Sequence, residues 1–459
     1  MASSIYIASP EGETGKSTVA LGLVDLFTKR VEKVGVFRPV IKASGRDPLV
    51  ELLLARSRAD LDYDDVIGVS YDDLHHDAEA ALATIVQRYR EIEEVCDFVV
   101  ILGSDYTDVA GPAELAFNAR IAANLAAPVL LVVRGYGRQP SDIAQVIDLA
   151  ITELTSHHAA TLAVVVNRAT GATREAIQTE MPLNIPLWVI PEVPLLGAPT
   201  VADLQEALGG EVLSGHADLF QREAESLLVC GMTVSHILER LEEGQVAIAA
   251  GDRGELLISL LAAHSAEGFP SLAGIILNGG YTPSDVVRRL VAGFSAQLPV
   301  ITCDLNTYET AQIVATTRGG LTSTTQRKID TALALAERHL PSDELTQLLE
   351  VAESTAVTPL MFEAELLDRA RGEKRHIVLP EGDDDRILRA ASTLLSRKTA
   401  KLTILGNPTQ VRARAAELGL DIDAAEILDP TASTHLEEFA REYAHLRAHK
   451  GMTEDRARE

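Results

Sequence analysis

The stretch Pro10-Glu11-Gly12-Glu13-Thr14-Gly15-Lys16-Ser17-Thr18 constrains the fold of this chain more than any other. It follows the apolar run Ser4-Ile5-Tyr6-Ile7-Ala8 and precedes the helical pattern Val19-Ala20-Leu21-Gly22-Leu23-Val24. Strand, glycine-bearing turn and helix form the setting of a phosphate-binding loop. Such a turn wraps backbone N–H groups around phosphate oxygens, and the helix N-terminus adds partial positive charge. Lys16 then reaches the outer phosphates and the Ser17 hydroxyl ligates Mg²⁺, with Gly12, Thr14, Gly15 and Thr18 completing the cradle. The usual pattern begins with glycine, where this chain has Pro10. Gly12 is expected to supply the flexibility instead. The plainer alternative is an ordinary strand-to-helix turn capped by Thr14 or Ser17.

The chain beyond this loop alternates short apolar runs with helical patterns. Strands are expected at 4–8, 33–37, 98–102, 128–133, 161–167 and 186–190, with helices near 16–30, 77–95, 112–125, 141–154 and 172–180. Val129-Leu130-Leu131-Val132-Val133 is apolar at every position, as in a strand covered on both faces. Alternating units of this kind predict a doubly wound parallel sheet spanning residues 1–206. Ligands bind such sheets at the carboxyl ends of their strands.

Three more positions fall at those ends. Asp105, with Asp108 as a competitor, is placed to hold Mg²⁺ through water, or else to cap the next turn. Asn167 is placed to read a base edge, or else to serve as a turn residue. Arg38 closes the second strand and faces either an anion or solvent. His75-His76 and His157-His158 sit in polar loops and read as solvated residues rather than metal ligands.

The 459 residues carry a net charge of -26, spread along the chain. That excludes nucleic acid and anionic membrane as main partners, because phosphate backbones require basic stripes. Cys96, Cys230 and Cys303 form no metal or disulfide pattern, and no signal peptide or membrane span is visible. A cytoplasmic protein is expected.

Pro194–Thr200 and Gly209-Gly210 mark a boundary, after which a smaller α/β domain covers 207–320. Helices are expected there near 218–229 and 233–241, strands at 246–249, 273–277 and 299–302, and helices near 254–264, 283–294 and 308–318. Asp252, in Gly251-Asp252-Arg253-Gly254, is expected to cap the following helix. Residues 321–373 read as a helical linker. From 374 a third α/β region begins, with strands ending at Pro380 and covering 401–405 and 426–428, and helices near 410–418 and 436–449.

Three resemblances follow from these residues. Thr14-Gly15-Lys16-Ser17-Thr18, Val36-Phe37-Arg38-Pro39-Val40 and Val164-Val165-Val166-Asn167-Arg168 resemble the dethiobiotin synthetase-like P-loop proteins. That family has lysine at the position of Arg38 and a glycine-rich run at Leu102–Tyr106, so dethiobiotin chemistry is not implied. Ala249–Arg253, Ile276–Gly280 and Thr302–Tyr308 resemble the DRTGG domain. Ile377–Gly382, Asp385–Leu388, Leu402–Gly406 and Lys450–Thr453 resemble the opening of the phosphate acetyl/butyryltransferase catalytic domain. In this order the three resemble the N-terminal portion of long bacterial phosphate acetyltransferases. The resemblance implies exchange of acetyl between acetyl-CoA and phosphate, giving acetyl phosphate and CoA. It also implies a homo-oligomer and no tightly bound cofactor, with nucleotide and Mg²⁺ at the P-loop. The third domain is expected to be incomplete, with the catalytic residues beyond Glu459. The alternative is a nucleotide-binding regulatory or assembly module without acetyl transfer.

Overall fold

A strand with apolar side chains on both faces needs cover on both faces, and the first sheet of the protein is built from such strands. In the computed structural model, residues 3–42, 45–104, 113–180, 184–293, 298–351, 358–432 and 435–459 are described. The strands are β1 (Ser3–Ala8), β2 (Val34–Ile41), β3 (Ile67–Ser70), β4 (Phe98–Leu102), β5 (Val129–Arg134), β6 (Thr161–Ala169) and β7 (Leu187–Pro191). Their order is β3-β2-β4-β1-β5-β6-β7, and every pairing is parallel. Ile5, Ile7, Val100, Val132 and Val165 are fully buried, as the continuous apolar runs predict.

The helix Lys16–Thr28 covers one face of this sheet. The helices Gln326–His339 and Ser342–Val351, from the segment read as a linker, extend the same core. Ile329, Leu340 and Leu345 are buried there, each contributing about 1.5–3 kcal/mol of hydrophobic stabilisation. Helix Gln326–His339 can approach so closely because Gly22 has no side chain. A Cβ at Gly22 would lie 2.2 Å from the Ala336 Cβ. Lys328 anchors the same helix. It is fully buried, and its Nζ donates to the Ala198 carbonyl at 2.6 Å. Burial pushes its pKa down, because the ammonium has lost its water.

The second sheet contains β8 (Glu211–Ser214), β9 (Ser226–Val229), β10 (Gln245–Ala250), β11 (Gly274–Asn278) and β12 (Val300–Thr302). Its order is β8-β12-β11-β10-β9, with β8 alone antiparallel. Here the structure corrects two expectations. Residues 218–229 form no single helix: a 3-10 turn covers Ala217–Gln221, and Ser226–Val229 pairs with β10. Leu227 and Val229 pack against the core, so tertiary pairing outweighs the helical pattern. Asp252 is not the cap of the helix Gly254–Ser265. The N-cap position is Arg253, whose Nε donates to Glu255 at 2.8 Å. β3, β8 and the helix Pro48–Arg56 are additional to the elements expected.

The chain divides into two compact units, residues 1–356 and 357–459. The second contains β13 (His376–Leu379), β14 (Lys401–Leu405) and β15 (Glu426–Leu428), parallel and in that order. Within it Asp384 caps the helix Asp385–Ser396, accepting from the Arg386 N–H at 2.8 Å. The adjacent Asp385 is bound by the Arg414 guanidinium. Capping and pairing therefore account for two of the three acidic residues of the run Asp383–Asp385.

The contact at Gly22 yields a stability prediction. Gly22→Val should overpack the helix junction and cost about 1–3 kcal/mol. Urea unfolding monitored at Trp188 should show a lower midpoint. An unchanged midpoint would mean that the two helices are not pressed together at this position.

Candidate functional site

The loop after β1 lies at the centre of the first sheet, where neighbours β4 and β5 flank β1 on either side. Gly15 is the N-cap of helix Lys16–Thr28 and has φ +76°, the left-handed region that favours glycine. Space forbids a side chain as well: a Cβ there would lie 2.4 Å from the Asn167 Nδ2. No side chain caps the helix start, and its first turn contains no acidic residue. Neither Thr14 nor Ser17 plays the capping role that an ordinary turn would give it. Thr14 is buried, and its Oγ1 lies 3.1 Å from the Ser9 Oγ. Thr18 is buried and Ser17 is half-buried in the first turn.

Lys16 folds back over the end of β4. Its Nζ donates to the carbonyls of Gly103 at 2.8 Å and Ser104 at 2.9 Å. Arg38 reaches the same place from β2, donating to Gly103 O at 2.6 Å and Leu102 O at 3.2 Å. Lys16 and Arg38 are 3% and 5% exposed, respectively. Two buried cations therefore share one carbonyl oxygen, with Asp47 at 3.5 Å from the Arg38 Nε. The β4 end is itself held in place. The Tyr6 hydroxyl donates to Asn118 Oδ1 at 2.7 Å, and the Ser104 N–H donates to the same oxygen at 3.0 Å. Burial pushes the Tyr6 pKa up, which keeps it a donor.

The other side of the loop is clamped from β5 and β6. Asn167 Nδ2 donates to the carbonyls of Thr14 at 2.8 Å and Gly15 at 3.2 Å, while its Oδ1 accepts from the Arg168 N–H. In this structure the amide holds the loop. Arg168 donates to the Glu13 carbonyl at 2.8 Å and grips the Glu192 carboxylate at 2.8 and 3.1 Å. Glu13 itself has φ 57°, a conformation this clamp supports. Arg138 binds Glu11 in a fork at 2.5 and 2.6 Å, and Arg134 lies 3.4 Å from Glu13. These arginines neutralise the two carboxylates of the loop.

Asp105 and Asp108 lie outside the described residues. His75 and His157 make local contacts, to Tyr71 O and Glu153 respectively, and no metal-holding group of three or more His, Cys, Asp or Glu occurs among the described residues. The sequence signal that does find the clamp is Asn167-Arg168 at the end of β6. The Arg134, Arg138 and Glu192 contacts carried no such signal.

Comparisons with known proteins follow the same three-part order. The AAA domain family matches residues 3–200, the DRTGG domain 203–317 and the Phosphate acetyl/butaryl transferase family 361–459. Phosphate acetyltransferase of Nitratidesulfovibrio vulgaris is 34% identical over all of this chain and 68% of that protein. The chain belongs to the phosphate acetyltransferase family. The corresponding protein of Synechocystis sp. is 31% identical, again over all of this chain and 68% of its relative. Among solved structures, the EutD phosphotransacetylase from Staphylococcus aureus is 35% identical over 21% of this chain and 30% of its own, with a TM-score of 0.19. Family membership assigns the third region to an acyltransferase.

The clamp makes a local prediction. Asn167→Ala leaves the Thr14 and Gly15 carbonyls without that donor. It should cost about 1 kcal/mol globally. Amide hydrogen exchange of residues 12–16 should accelerate by about tenfold. Unchanged exchange there would show that Asn167 does not hold the loop.

Proposed function

We propose that this chain serves an enzyme that converts acetyl-CoA and phosphate to acetyl phosphate and CoA, in the cytoplasm and as a homo-oligomer. The observation that carries this reading is the 34% identity to a phosphate acetyltransferase over the whole of this chain. Residues 361–459 supply the acyltransferase region, and the third α/β region at 374–459 is read as its opening part. Among the described residues no helix is long and apolar enough to cross a membrane. The test is purified protein from the native source, assayed for CoA-dependent loss of acetyl phosphate. Acetyl-CoA formation is expected, and its absence from an intact, folded preparation would contradict the assignment.

The geometry of the first sheet supports a second, compatible role: a nucleotide site. Gly12, Gly15 and the start of helix Lys16–Thr28 would cradle phosphates, with Thr14 and Thr18 shaping the turn and Asn167 holding it. Lys16 would leave the Gly103 carbonyl for a phosphate oxygen. Ser17 is the residue to hold Mg²⁺, with Asp105 as its assigned partner. The metal, once bound with the nucleotide, would neutralise part of the phosphate charge. This site would regulate or assemble the acyltransferase rather than transfer acetyl. Isothermal titration with Mg²⁺ and a nucleoside triphosphate should show binding that Lys16→Ala weakens at least tenfold. Equal affinity in the variant would remove the loop as the site.

A further inference from the structure

A cavity of about 450 Å³ lies beside β7, the strand at one edge of the first sheet. Trp188 of β7 forms part of one wall. Arg174, from the helix Gly171–Glu180, stands on another. The third is the junction of two helices: Glu337, Arg338 and His339 end Gln326–His339, and Asp343 begins Ser342–Val351. All of these elements belong to the compact unit 1–356. Among the described residues, none of the phosphate loop lines this cavity. Its volume falls in the range of roughly 300–1,000 Å³ that holds a complete small molecule.

Three basic side chains meet here without partners. Among the described residues, nothing forms a hydrogen bond or ion pair with the side chain of Arg174, Arg338 or His339. The nearby carboxylates are mostly engaged. Asp343 is bound by Arg30, and Glu344, next to it, accepts from the Trp188 Nε1 at 3.2 Å. That leaves Glu337 as the other carboxylate in the lining. Arg338 and His339 alone would suit the last turn of a helix, where the backbone dipole favours cations. Arg174 has no such reason. It is the fourth residue of its helix, near the end where the dipole opposes a cation. Loss of water lowers the His339 pKa, and Arg174 and Arg338 lower it further. The charge that reaches the ring is therefore that of the two guanidiniums. Arg338 is exposed, while Arg174 and His339 are half-buried, so the cavity is open to a ligand from solvent. Guanidinium groups match the oxygens of a carboxylate or phosphate two at a time.

We propose that this cavity is a second anion site, separate from the phosphate loop, which takes a small organic dianion, either a phosphate monoester or a dicarboxylate. Arg174 binds the anion from the side of the first sheet, and Arg338 and His339 bind it from the helix junction. The ligand joins the helix Gly171–Glu180 to the last turn of Gln326–His339. Because Ser342–Val351 starts at the same cavity, occupancy fixes the bend between the two linker helices. The proposal does not depend on the nucleotide reading of the loop.

Equilibrium dialysis of the protein against glycerol 3-phosphate and against succinate tests this, with uncharged glycerol as the control. Saturable binding of at least one dianion, and none of glycerol, is expected; the dianion that binds more tightly identifies the source of the charge. Arg174→Gln and Arg338→Gln should each weaken it by about tenfold or more, as loss of a charged hydrogen-bond donor does. Lys16→Ala should leave it within about twofold, since Lys16 lies in the loop. Both arginine side chains are unpaired, so the urea midpoint of either variant should match that of the parent, which shows that they are folded. Failure of both dianions to bind the parent would overturn the site. Binding that survives both arginine substitutions, or that Lys16→Ala abolishes, would place the anion elsewhere and overturn it as well.

Discussion

The central place of β1 in an all-parallel sheet is the constraint on which the rest of the first unit depends. β1 lies between β4 and β5, so its following loop emerges where the chain connections part to the two sides. Its own residues, buried on both faces, leave no freedom in register. The loop is consequently met by β4 on one side and by β5 and β6 on the other. Lys16 and Arg38 converge on the Gly103 carbonyl at one side, and Asn167 and Arg168 tie down the loop backbone at the other.

Electrostatics then separates the site into two halves. The loop side contains the buried cations Lys16 and Arg38, which meet at the Gly103 carbonyl. The β5 side neutralises Glu11 and Glu13 with Arg138 and Arg134. A protein of net charge -26 can hold an anion only where basic groups are concentrated in this way. The same arrangement orders the loop although proline stands at the usual first glycine position. The clamp from β6 fixes the turn, and Gly15 supplies the one left-handed conformation the helix start needs.

What was legible in the sequence was what depends on local pattern. The uninterrupted apolar runs gave the parallel strands, and Gly15-Lys16-Ser17 in a strand–helix setting gave the loop. Contacts assembled across the sheet were not legible. Nothing in the spacing of Glu11 and Arg138, or of Lys16 and Arg38, links them; the fold brings them together from positions far apart in the chain. Ser226–Val229 failed for a related reason. Its apolar residues suit a helix as well as a strand, and pairing with β10 decides between them. β3 and β8 are four-residue strands, too short to show a period. The packing of Ile329 and Ala336 against the first core needed Gly22, whose role appears only when the two helices are seen together.

Family membership joins this unit to an acyltransferase, and we propose that the loop and its clamp report a nucleotide to it. The central proposal is that the start of helix Lys16–Thr28 binds a phosphate through Lys16. The most direct measurement is a crystal structure of the protein with Mg²⁺ and a non-hydrolysable nucleoside triphosphate at saturating concentration. The account predicts phosphate density at the start of helix Lys16–Thr28, with Lys16 moved from Gly103 and Ser104 onto a phosphate oxygen. Lys16 still on those carbonyls, with no phosphate at the loop, would contradict it.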